Sequence, residues 1–119
     1  MQNRRRSRVW VAFPVRILAG EQEYSLLSKN ISLKGLLASY EPRLQAGQDC
    51  RVELSLDQGH ILDLQGRVVR CDAQGTAIDF RSMQPDTFQH LRNLIRFYSQ
   101  NPDLIDQELS QPAFDPGNK

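Results

Sequence analysis

The feature that most constrains this chain is an unbroken alternation near its N-terminus. Val9, Val11, Phe13, Val15 and Ile17 all fall on odd positions, with Trp10, Pro14 and Arg16 among the residues between them. A period of two belongs to a half-buried strand; an amphipathic helix would repeat its apolar positions every three and four residues. The pattern predicts a first strand near residues 8–19, closed by a turn at Gly20 and Glu21. Similar short runs follow. A second strand is expected from about Glu23 to Asn30, with Tyr24, Leu26 and Leu27 as its apolar content, and a third from Leu36 to Tyr40. Cys50, Val52, Leu54 and Leu56 alternate in a fourth, and Asp57-Gln58-Gly59 is a strong hairpin signal. Ile61 to Cys71 reads as a long fifth strand, whose inward phase of Leu62 and Leu64 is expected to shift at a bulge near Gly66. The turn from Asp72 to Gly75 leads to a sixth, with Ile78 and Phe80 on one side. Strands of this length joined by short turns suggest a mainly β fold, a small six-stranded antiparallel barrel, because closure removes exposed edges.

From Pro85 the period becomes helical. Phe88, Leu91, Leu94, Ile95 and Tyr98 define one face, expected to pack on the barrel. Pro85 suits a first helical turn, and Asp86 followed by Gln89 reads as a capping box. Asn101-Pro102 breaks the pattern, after which Leu104, Ile105 and Leu109 predict a short second C-terminal helix. The organisation expected is a flexible basic arm over 1–8, a barrel with its packing helix over 8–100, and a short acidic helix and tail over 101–119.

Net charge is +1, but its distribution is polarised. Residues 1–20 carry Arg4, Arg5, Arg6, Arg8 and Arg16 with no acid, whereas 101–119 carry Lys119 against Asp103, Asp106, Glu108 and Asp115. A basic arm of this kind meets phosphates or acidic surfaces. The N-terminal arginines do not head a secretory signal, since Pro14 and Arg16 interrupt the apolar run and no small-residue cleavage site follows. No apolar stretch approaches the roughly 20 residues of a membrane span. The expectation is a cytoplasmic protein, without membrane insertion, whose two cysteines are reduced. Cys50, in strand phase with Val52 and Leu54, reads as a core thiol.

Catalytic chemistry is poorly supplied. His60 and His90 have no cysteine or carboxylate at metal-ligand spacing and read as surface residues, and two cysteines are too few for a four-ligand zinc site. Neither a nucleophile elbow nor a phosphate-binding glycine loop is present. No enzyme, metal or cofactor is expected.

Two stretches remain: Arg4-Arg5-Arg6-Ser7-Arg8 before the first strand, and Asn30-Ile31-Ser32-Leu33-Lys34-Gly35 between the second and third. Alone, the first reads as a solubilising tail and the second as an ordinary turn, with Gly35 tolerating positive φ. Together, Arg4 and Arg8 spaced by three residues and Asn-x-Ser-x-x-Gly one hairpin later resemble the R-x-x-x-R arm and [DN]-x-S-x-x-G loop of the PilZ domain. Val9-Trp10-Val11 resembles that family's first barrel strand, Gly66-Arg67-Val68-Val69-Arg70 its G-x-V strand, and Gly75 to Phe80 its last. The resemblance spans about residues 4–98, and residues 91–109 are similar to the C-terminal helices of stand-alone PilZ proteins.

The resemblance implies a receptor for cyclic di-GMP, a bacterial second messenger with two guanines and two phosphodiester charges. A guanidinium can grip guanine O6 and N7 with two parallel bonds, stack on the purine, or pair with phosphate, so Arg4 and Arg8 are assigned to the ligand with Arg5 as helper. Asn30 and Ser32 would hydrogen-bond to a guanine edge and to phosphate or ribose, and Gly35 would let the ligand lie against backbone. The arm would fold over the bound nucleotide, and output would pass through an unidentified effector protein in motility, exopolysaccharide or virulence. Two other readings stand beside this one. One is a single-stranded nucleic-acid-binding barrel, for which Trp10 and Tyr24 are the only candidate stacking aromatics. The other is a PilZ-like adaptor that binds no nucleotide.

Overall fold

The computed structural model describes residues 8–56 and 59–100. It contains seven strands and one helix: β1 (Arg8–Val9), β2 (Pro14–Ala19), β3 (Gln22–Ser32), β4 (Gly35–Ala38), β5 (Asp49–Ser55), β6 (Ile61–Asp72), β7 (Gly75–Met83) and α1 (Pro85–Gln100). All strand pairs are antiparallel, in the order β1-β3-β2-β5-β6-β7-β4, and β3 also pairs with β4. That last pairing closes β2 to β7 into a six-stranded barrel, with β1 as an extra strand on β3. The expected architecture is therefore the one observed.

The odd-numbered alternation survives intact: Val9, Val11, Phe13, Val15, Ile17 and Ala19 are all buried. They do not form one strand, however. The chain leaves sheet geometry at residues 10–13, so β1 and β2 occupy successive stretches of β3, with Arg8 opposite Ser32 and Pro14 opposite Leu27. The Ser28 hydroxyl bridges this gap. It accepts from the Phe13 amide at 2.9 Å and donates to the Val11 carbonyl at 2.5 Å. Alternation reports which way side chains point, and a connector stitched by a side chain preserves that phase while breaking the ladder.

The core is filled by these residues with Tyr24, Leu26, Ile31, Leu36, Val52, Leu54, Leu62, Leu64, Val68 and Ile78. Cys50 lies within it; burial, and then the charge of Asp49, push its thiol up to about 11. The irregularity expected near Gly66 is present, but the extra residue is on the partner strand. Gln65 faces Ser82 and Gly66 faces Phe80, leaving Arg81 over, and the inward phase of β6 runs on through Val68. It changes only at a second bulge, where Val68 faces Ile78, Arg70 faces Ala77, and Val69 is the extra residue. Gly66 is required for packing: a Cβ there would stand 2.9 Å from the Ile78 side chain.

Outside the barrel, Glu23, Arg16, Glu53, Arg51 and Asp63 form a chain of alternating charge across β3, β2, β5 and β6. Each arginine of this face is shared between two carboxylates. α1 packs against β1 and β6 through Leu91, Ile95 and Tyr98, with the Tyr98 ring edge-on to Phe13 at 6.1 Å. Pro85 opens the helix as expected, but the capping box does not form. The Gln84 carbonyl already accepts from the Phe88 amide, and Gln89 donates forward to Asn93 at 3.2 Å. Phe88, expected on the packed face, stays exposed because it lies a turn short of the barrel contact made by Leu91. The proposed second helix and the tail lie outside the described residues, as does the Asp57-Gln58 part of the β5–β6 turn.

Candidate functional site

The site is built where β3 changes phase, at a bulge that leaves Lys29 over between Ser28, opposite Ala38, and Asn30, opposite Leu37. Tyr24, Leu26 and Ser28 point inward, but beyond the bulge Ile31 takes the core position and Asn30 and Ser32 turn to the outer face; all three polar side chains are buried and need partners. Asn30 and Ser32 find theirs in Arg8. The guanidinium of Arg8 donates to Asn30 Oδ1 from Nη1 and lies 3.5 Å from Ser32 Oγ through Nη2. Strand pairing makes the meeting obligatory, because Arg8 is directly opposite Ser32.

Ser32 is fully buried, and its hydroxyl is heavily used. It accepts from the amides of Lys34 at 3.1 Å and Gly35 at 3.3 Å, and donates to the Gly35 carbonyl at 3.3 Å. This side chain therefore fixes the 32–35 turn and presents an oxygen to Arg8. Asn30 is 3% exposed, with its amide oxygen committed to the guanidinium. Gly35 is needed for close approach rather than for positive φ: a Cβ there would stand 2.3 Å from the Ile78 carbonyl oxygen on the adjoining β7. Only glycine allows β4 and β7 to meet at this point.

Arg8, Asn30, Lys34 and Gly35 open onto a cleft of about 410 Å³, whose remaining wall is Leu36, Leu37, Val69, Arg70, Ala77, Ile78 and Asp79. Three cations, Arg8, Lys34 and Arg70, face one carboxylate, Asp79; Arg70 also pairs with Asp72 at 3.1 Å. The floor is apolar and the rim basic, which suits a flat aromatic group carrying negative charge. Of the residues singled out from sequence, Arg8, Asn30, Ser32 and Gly35 come together here. Arg4 and Arg5 lie outside the described residues. Val69, Asp79, Leu37 and Ala77 were not anticipated; the bulge that leaves Val69 exposed in the cleft has no sequence signature beyond the valine pair itself. Tyr24, a candidate stacking aromatic, is buried, whereas Trp10 is exposed. Among the described residues no three histidine, cysteine or acidic side chains are grouped to hold a metal ion. No helix among them is long and apolar enough to cross a membrane.

Fold and site together define a small closed barrel with an arginine clamped at the mouth of a basic cleft. The family model described as PilZ domain matches residues 2–97, and the chain belongs to that family. A comparison with curated proteins gives no match. Among solved structures, the chain is similar to the inhibitor of motility MotI/DgrA of Bacillus subtilis, with a TM-score of 0.71 and 20% identity over 85% of this chain and 53% of that one. It is also similar to the PilZ domain of CeSA from a cellulose-synthesising bacterium, with a TM-score of 0.64 and 17% identity over 77% and 97% of the two chains. The PilZ domain of Escherichia coli YcgR, solved with c-di-GMP, gives a TM-score of 0.68 and 14% identity over 90% and 99%. At these identities the likeness is one of fold, and the chain spans about half the length of the MotI chain.

Proposed function

We propose that this chain is a non-enzymatic receptor for cyclic di-GMP that passes the signal to an effector protein in the cytoplasm. The observation that carries the reading is the Arg8–Asn30–Ser32 cluster at the basic cleft of a PilZ-family barrel. A guanidinium held by two neutral acceptors keeps its full charge and has its planar fork oriented in advance, so less entropy is lost when it meets a guanine or a phosphate. In this reading Asn30 and Ser32 serve the ligand chiefly by aiming Arg8, Gly35 keeps the floor shallow, and Arg4 and Arg5 add the second grip. Lys34 and Arg70 supply further charge toward the phosphodiesters. The YcgR domain solved with c-di-GMP shares the fold, which supports the choice of ligand. Burial of Tyr24 removes one of the two stacking candidates from the single-stranded nucleic-acid reading.

Isothermal titration of cyclic di-GMP, with GTP as control, tests this directly. Saturable binding seen for cyclic di-GMP alone, and lost in Arg8→Ala with the far-ultraviolet spectrum unchanged, is the expected outcome. A flat trace from folded protein would overturn the receptor reading and leave an adaptor that binds no nucleotide. Equal binding by Arg4→Ala, Arg8→Ala and wild type would overturn the site assignment while keeping the receptor.

A further inference from the structure

The chain has only two histidines, and the fold brings their rings together. His60 lies in the β5–β6 turn and His90 in the middle of α1; their ring centroids are 6.1 Å apart with planes inclined by 48°. Both are exposed, so no packing demand explains the meeting. Both backbones are nevertheless held. The His60 carbonyl accepts from the Leu56 amide at 2.7 Å, and His90 precedes Leu91, which is fully buried under the helix.

We infer that His60 and His90 form a two-imidazole binding site for a divalent transition-metal ion, Zn²⁺ being the representative. With metal–nitrogen bonds of about 2.0–2.1 Å, two imidazoles sharing one ion have centroids on the order of 5–6 Å apart, within a small side-chain rotation of the present spacing. Neutral imidazole nitrogen suits Zn²⁺, Cu²⁺ and Ni²⁺, whereas Mg²⁺ and Ca²⁺ take oxygen ligands. With two protein ligands among the described residues, water completes the coordination. The ligands come from different elements, so one ion ties α1 to the β5–β6 turn, and its binding free energy adds to helix docking. This site is independent of the nucleotide cleft and of the reading given to it.

The test is titration of ZnCl₂ into tag-free protein, followed through the ¹⁵N signals of the two imidazole rings. Both rings shift together and saturate at one equivalent, while MgCl₂ moves neither. His60→Gln or His90→Gln weakens Zn²⁺ binding roughly tenfold or more, as expected when a chelating pair is cut to one ligand. Rings that shift independently in the wild type, or a single variant that binds as tightly as wild type, would overturn the proposal. The wild-type ring signals decide the matter even where a variant is poorly folded.

Discussion

Glu41 shows how much one side chain can organise after a short strand. Its carboxylate accepts from the Arg43 amide at 3.0 Å and from the Arg43 guanidinium at 2.8 and 2.9 Å. That guanidinium in turn lies 4.9 Å over the Tyr24 ring. The Glu41 backbone is tied as well, its amide donating to Thr76 Oγ1 and its carbonyl accepting from Cys71 Sγ. The hydrogen bonds from Arg43 hold the carboxyl down to about 2, against the opposing effect of burial. Because the folded value is depressed, the unfolded chain takes up the proton first. The stabilisation is therefore complete above the ordinary glutamate range, near 4.3, and is lost as pH falls toward about 2. Urea midpoints measured from neutral pH down through that window should fall less steeply in Glu41→Gln than in wild type. Parallel curves would mean that the pair survives in the unfolded chain.

At the scale of elements, the connector between β1 and β2 depends on the hydroxyl of Ser28, which satisfies a buried amide and a buried carbonyl at once. Ser28→Ala should cost about 1–3 kcal/mol, since both groups stay buried with one partner removed, and the denaturant dependence should keep its slope. Ser39→Ala is the contrast. Its hydroxyl accepts from the Leu27 amide at an exposed position, where water can replace it, and stability should change little. Equal losses in both variants would show that the connector is not specially dependent on Ser28. These elements also show what the sequence made legible. Each of the six barrel strands was foreseen, because burial on one face imposes a period of two that side-chain chemistry cannot hide. The break at residues 10–13 was not, because phase continued across it. Bulges at Arg81 and Val69 are properties of a strand pair, and one strand's sequence does not contain its partner's register. In the site, Asn30 and Ser32 were found through a motif, and the face they occupy was not legible from the strand's alternation. They continue the even-numbered phase of Tyr24 and Leu26, but the bulge at Lys29 turns them to the outer face of β3, where Arg8, paired with Ser32, meets them. The positive φ that an ordinary turn would ask of Gly35 is not what the fold uses; the close approach of β4 to β7 that requires a glycine there is a long-range fact.

For the whole molecule, the consequence lies in where Arg8 is mounted. It occupies a strand of only two residues, held to the sheet through β3 alone, while α1 packs on that strand and on β6. The Phe13–Tyr98 contact links the helix to the connector that follows. A strand so short contributes few ladder bonds, so β1 and the elements leaning on it belong to the less stable end of the fold, while β5 and β6, paired over seven residues, belong to the more stable end. A ligand that grips Arg8 stabilises the state in which β1 is docked. At a hundredfold excess over its dissociation constant this amounts to about 2.7 kcal/mol, enough to slow local exchange by up to about a hundredfold. Cyclic di-GMP should therefore slow amide hydrogen exchange in β1, the 10–13 connector and α1 together, leaving β5 and β6 unchanged, and Arg8→Ala should remove the effect from all three. Protection confined to β1 would separate the helix from the nucleotide and place any signal to a partner on the cleft rim itself. Protection shared by the helix would make α1, with its exposed Phe88 and Phe97, the surface whose stability reports the ligand.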